Sequence, residues 1–205
     1  MKLVTLATLA LLALLAARSR ADEVYDNGPV NGVFGAWGIV PGFSVSDSFT
    51  VSAPTALGSA TVGLWADSGA PTTLDWSIGT TPFGSDISSG TATSLDNVLL
   101  TTGYWDIFET SFDISGDLGS AGTYYFTLSG ASDGVSWDIN NGPSMAYETP
   151  YFPSGTEGAS EVGSNSDSFQ LYSPSSVPDR LPTIWLALGS MLVLAAAAKP
   201  RRADC

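Results

Sequence analysis

Apolar residues recur at every second position through much of the interval from residue 25 to residue 172. Phe43, Val45, Phe49 and Val51 keep the phase of one strand, interrupted only at Asp47. Leu74, Trp76 and Ile78 keep another, as do Tyr124, Phe126 and Leu128, then Val135, Trp137 and Ile139; Phe169 and Leu171 give a last short run. A period of two sends alternate side chains to opposite faces, so each run predicts a strand with one buried face. Ala60–Trp65 and Ile107–Ile114 add two more. Pro41-Gly42, Asp67-Ser68-Gly69, Asp133-Gly134 and Asn140-Asn141-Gly142-Pro143 separate the runs with residues that supply positive φ, fixed φ or side-chain-to-backbone bonds. No window outside the two ends of the chain sustains a 3.6-residue period. The pattern predicts an all-β domain, an antiparallel β-sandwich of jelly-roll-like type, over residues 22–172. Trp76 and Trp137, which alternate with Ile, belong in its core. Pro153–Asp167, rich in Ser, Gly and Glu, reads as a long surface loop. Asp26-Asn27-Gly28-Pro29 is echoed by Asn140-Asn141-Gly142-Pro143. First and late strands of a sandwich are often neighbours, which places the two turns at one rim.

The ends follow a different pattern. Lys2, an apolar stretch from Leu3 to Ala17, and Arg18-Ser19-Arg20-Ala21 have the order of a secretory signal peptide over residues 1–21. Ser19 and Ala21 suit the −3 and −1 positions, which places cleavage after Ala21; the alternative is a retained N-terminal anchor. Leu181–Ala198 carries no charge over 18 residues. As a helix it reaches about 27 Å, against a hydrocarbon core of roughly 30 Å, and so predicts one transmembrane helix. The basic tail 199–205 belongs on the cytoplasmic side by the positive-inside rule. Residues 22–172 are then exported, and Ser173–Arg180 is a linker that holds them off the membrane.

Composition narrows the role of the exported part. From Asp22 to Asp179 there is no Lys, Arg or His, while that interval holds all of the 20 acidic residues except Asp204. Nucleic-acid binding needs cations to displace counterions from phosphate and is not expected. Docking on anionic lipid is disfavoured for the same reason. The one cysteine, Cys205, lies behind the membrane segment, so no disulfide is available to the domain and its core must stabilise it alone.

Val177-Pro178-Asp179, one hydrophobic helix and a short arginine-rich end resemble the C-terminal sorting signal of the PEP-CTERM family of bacterial secreted proteins. Asp179 stands where Glu is common and Arg180 where a second Pro is common, which is similar to the family's Val-Pro-Asp variants. The resemblance implies that a membrane exosortase recognises the tail, removes the helix and passes the protein from an inner-membrane intermediate to the cell surface or outside. Without processing, the helix is a single-pass anchor. Tyr25–Pro29, Val45–Thr50, Asp75–Thr80 and Trp137–Pro143 further resemble a domain found ahead of such tails. That resemblance implies a secreted β-sandwich and no established activity.

Candidate chemistry is sparse. A serine nucleophile usually needs a neighbouring base, and the exported interval has no His, Lys or Cys. Zinc prefers His and Cys ligands. Carboxylate pairs can hydrolyse glycosides, but no pair is marked by spacing, and no catalytic residue is assigned. Calcium takes carboxylate, amide and backbone oxygens. Asp22, Glu23, Asp26 and Asn27 are candidates for such a site with Asp138, Asn140, Asn141 and Glu148, if the two rims touch. Trp37, Tyr104, Trp105 and Tyr147 are candidates for stacking against sugar rings. The expectation is an exported protein with a structural or adhesive role in exopolysaccharide or biofilm and no enzymatic activity. The alternatives are a carbohydrate-binding module, with or without calcium, and a carboxylate glycosidase.

Overall fold

A computed structural model describes residues 21–132, 134–149, 160–161 and 166–175. The expected leader up to residue 20, the sorting motif Val177, Pro178 and Asp179, and the apolar segment 181–198 lie outside the described residues. Among the described residues no helix is long and apolar enough to cross a membrane.

The described chain is all-β. Its strands in order are β1 (Glu23–Asp26), β2 (Ala36–Gly38), β3 (Ser44–Val51), β4 (Thr55–Ala66), β5 (Leu74–Gly79), β6 (Ser88–Ala92) and β7 (Asp96–Thr101). They continue with β8 (Asp106–Leu118), β9 (Gly122–Ser129), β10 (Val135–Asn140), β11 (Ala146–Thr149), β12 (Ser160–Glu161), β13 (Ser166–Asp167) and β14 (Phe169–Tyr172). One sheet runs β12-β11-β3-β9-β5-β6. The other is built on β4, which pairs with β8 along one edge and with β14 and β10 in succession along the other. Strand β7 extends this sheet beyond β8, β1 beyond β14, and β2 pairs with β10. The ladders are antiparallel throughout.

The alternating runs explain which faces meet. Val45, Phe49 and Val51 of β3, Leu74, Trp76 and Ile78 of β5, and Tyr124, Phe126 and Leu128 of β9 are buried on the inner face of one sheet. Leu64, Val135, Trp137, Phe169 and Leu171 face them from the other. The Phe126 ring lies 5.7 Å from both Trp137 and Phe169, and Tyr25 lies 5.8 Å from Phe49, so aromatics span the space between the sheets. This sandwich-like packing keeps Trp76 and Trp137 in the core, as their spacing predicts.

Two sequence expectations need correction. The strands around Ala60–Trp65 and Ile107–Ile114 are longer than the apolar runs, because small and polar residues continue the ladder at both ends. The stretch Pro153–Asp167, read as a surface loop, ends in β13, whose Ser166 and Asp167 are fully buried. There β4 and β10 diverge, and the chain leading into β14 fills the fork. Gly63 N donates to Ser168 O, Ser168 N to Asp138 O, and the Trp137 indole to Ser168 O at 2.9 Å. This wedge brings an acidic residue into the sandwich.

Candidate functional site

The two Asn-Gly-Pro turns meet at one end of the sandwich. Asn140 Nδ2 donates to Asn27 O at 2.7 Å and to Gly28 O at 3.2 Å. Gly142 lies so close that a Cβ there would stand 2.2 Å from Asn27 O. Asn27 itself is fully buried. Its Nδ2 faces Ser144 Oγ and Asp167 O, both at 2.6 Å, and Asp47 Oδ2 at 3.3 Å; its Oδ1 accepts from the Tyr25 hydroxyl.

Of the expected rim residues, Asn27, Asp138 and Asn140 are gathered here, each already engaged. Asp138 is buried beneath the loop that follows β1. Its Oδ1 accepts from Trp65 Nε1 at 2.6 Å and Gly32 N at 3.1 Å, and its Oδ2 accepts from Asn31 N. Burial still raises its pKa. Asn140 Oδ1 accepts from Ser166 Oγ and Gly142 N. Asp26 is exposed and closes its own turn, its Oδ1 accepting from Gly28 N and Gln170 Nε2. Asn141 is exposed. Asp22 N donates to Ser173 Oγ, and Glu23 faces Tyr172 across the ladder, away from the buried group.

The carboxylates that occupy the interior are Asp47, Asp167 and, partly, Glu148. Asp47 lies between Val45 and Phe49 on the inward face of β3, and it is fully buried. Asp167 shares the inward phase of Phe169 and Leu171 on the opposite sheet. Glu148 shares the phase of Ala146 on β11, which pairs with β3 so that Ala146 stands opposite Asp47. Asp167 N donates to Asp47 Oδ2 at 2.6 Å. Asp47 Oδ1, Glu148 Oε2 and both carboxylate oxygens of Asp167 are buried without a hydrogen-bond partner.

The electrostatics follow from that burial. Desolvation pushes the Asp47 carboxyl from 3.8 up to about 6, against the hydrogen bond from the Asp167 amide. Asp167 is raised well above its ordinary value by desolvation, then by the charges of Asp47, Asp138 and Glu148. Glu148 is raised by burial. The Tyr25 hydroxyl is pushed up to about 12 by burial and by Asp47. Among the described residues, no three Asp, Glu, His or Cys side chains close around one point.

Among the described residues the grooves on the surface are open. An open groove of about 500 Å³ is lined by Leu57, Asp86, Ile87, Gly116 and Asp117. The Thr80 amide and hydroxyl hold the Asp86 carboxyl below its ordinary range, the opposite of what a general acid requires. The aromatics proposed for sugar stacking are scattered. Trp37 is half-buried against the core, and its indole N–H has no partner. Tyr147 packs edge-on to Tyr125 at 5.9 Å. Tyr104 is 90% exposed, with Trp105 edge-on at 5.6 Å.

Comparison with models of known families finds no match, and none of the curated proteins compared matches the chain.

The alternation that reveals the strands hides part of this site. Asp47 is visible as a polar residue in an apolar phase. Nothing around Asp167 distinguishes it from the Ser- and Gly-rich segment before it.

Proposed function

We propose that this chain is an exported bacterial cell-surface or matrix protein, with a jelly-roll-like ectodomain in a structural or adhesive role within exopolysaccharide. The observation that carries the reading is a two-sheet domain with no lysine, arginine or histidine from residue 22 to residue 179. Such a domain is soluble and self-repelling, and it lacks the bases and cations on which most hydrolytic and nucleic-acid chemistry depends. Asp47 and Asp167 are buried between the sheets and Asp138 beneath the loop after β1, and none of the three lines the open groove at Asp86, which weighs against a glycosidase. The tail after Pro178 supports export through an exosortase, with the apolar helix as an intermediate anchor.

Mass spectrometry of exported protein from a strain with an active exosortase tests the sorting. A C-terminus between Val177 and Arg180 is expected. Intact chain ending at Cys205 and held in the inner membrane would leave a plain anchor instead. Deletion of the gene is expected to weaken the exopolysaccharide matrix without changing polysaccharide chain length; shortened or lengthened polymer would point to an enzyme.

The second reading, a carbohydrate-binding module, is favoured by the exposed Tyr104 ring beside Trp105. An exposed aromatic face can stack on a sugar ring. If that reading is right, glycan-array binding disappears in Tyr104→Ala, and the thermal midpoint stays unchanged.

A further inference from the structure

Three carboxylates from three strands share the space between the sheets: Asp47 on β3, Glu148 on β11 and Asp167 on β13. Each occupies the inward phase of its strand, where neighbouring positions hold Val45, Phe49, Ala146 and Phe169. Four of their oxygens are buried and make no hydrogen bond. An unpaired buried carboxylate is among the costliest groups a fold can hold. No basic side chain of the domain can pair with them, because residues 22–179 contain no lysine, arginine or histidine. The charge is offset either by protons on the carboxyls or by a cation from solution.

We propose that Asp47 and Asp167, with Glu148 beside them, are the anionic core of a buried site for a hard divalent cation of the calcium class. Calcium accepts six to eight oxygens in flexible geometry, whereas magnesium demands a near-ideal octahedron and gives up its water reluctantly. A pair of carboxylates from facing strands, completed by neutral oxygens such as the Ser144 hydroxyl and by water, suits the first. Since no three acids close around one point, the ion draws chiefly on Asp47 and Asp167, and Glu148 contributes charge from nearby. Bound there, it joins the two sheets at the wedge where β13 enters the fork between β4 and β10. The site is independent of the adhesive role: either can fail without the other.

The test uses the full chain in a nonionic detergent, stripped with a chelator and titrated with calcium chloride. Saturable single-site binding is expected by calorimetry, with a rise in thermal midpoint that magnesium chloride does not reproduce. Asp47→Asn and Asp167→Asn should each weaken binding at least about tenfold, while Asp86→Asn leaves it unchanged. Terbium provides a readout on the unaltered chain: its luminescence, sensitised through Trp137 and Trp65, should appear on addition and be displaced by calcium. This keeps the idea testable even if an Asn variant does not fold. The proposal is overturned if the folded chain shows neither a midpoint shift nor terbium luminescence at about 5 mM ion, above the range of weak extracellular calcium modules. Binding that survives both Asn substitutions overturns it equally.

Discussion

Asp47 titrates near 6 because the fold withdraws its carboxyl from water. In the unfolded chain it returns to an ordinary aspartate value near 3.8. Between those two values the folded state binds more protons than the unfolded one. The contribution of Asp47 to the stability of the metal-free protein is then fully present below about pH 4 and lost as pH rises through about 6. A rise from 3.8 to about 6 corresponds to roughly 3 kcal/mol. Asp138, Glu148 and Asp167 are displaced in the same direction, while the exposed Asp86 is displaced oppositely. The chelated chain should therefore unfold at a higher urea concentration at pH 4.5 than at pH 7.5, the reverse of ordinary acid denaturation. In Asp47→Asn that difference should shrink, because one proton-binding carboxyl is removed together with a charge that raises Asp167. A chelated chain that is more stable at pH 7.5 would show that these carboxyls are hydrated in solution. At this scale, sequence reading assigned neither member of the interior pair. Asp47 breaks the apolar phase between Val45 and Phe49 and can be seen. Asp167 is in phase with Phe169 and Leu171, but only one polar step separates it from a segment with no period, so its burial depends on a partner strand far away in sequence.

Strands with a strict two-residue alternation were legible because both of their neighbours are apolar on one face. Those that escaped are of two kinds. Strands β1, β2, β11, β12 and β13 are two to four residues long, too short to establish a phase, and β6 is five residues of which only Ala92 is buried. Strand β7 lies at the edge of its sheet and carries Val98, Leu99 and Leu100 in succession, all exposed, so it has no buried face to alternate about. The meeting of the two Asn-Gly-Pro turns was foreseeable from their echo, yet its tightness was not. Gly142 is required there by contact with Asn27 O at a distance no side chain tolerates. Gly142→Ala should cost about 1–3 kcal/mol, the range for forced overpacking, read as a lower urea midpoint. Ala at Gly119, where an added Cβ meets nothing within 4 Å, should change the midpoint little.

For the whole molecule, the absence of lysine, arginine and histidine from residues 22–179 means that the surface acids of the domain repel one another with no internal relief. Monovalent salt screens such repulsion, with a Debye length near 10 Å at 0.1 M and about 3 Å at 1 M. The thermal midpoint of the chelated protein should rise steadily with sodium chloride, and calcium should add a separate step at matched ionic strength. A midpoint indifferent to sodium chloride would mean that the acids are too far apart to matter. Architecture at this scale was readable as a class, two antiparallel sheets, because class follows from period and turn chemistry. Strand order was not, since pairing between distant segments leaves no local trace. The place of β14 illustrates this. It is the final strand of the domain, yet it lies inside its sheet, flanked by β1 and β4, and Ser173 N bonds to Asp22 O across 151 residues. Until residues 166–172 emerge from the ribosome, that sheet has a missing plank and β1 has nothing to pair with. The chain is thus committed to fold late and all at once, in the millisecond-to-second range of topologies dominated by distant contacts. Were the chain exported as proposed, a domain of this design would still be unfolded when its first strands meet a translocation pore.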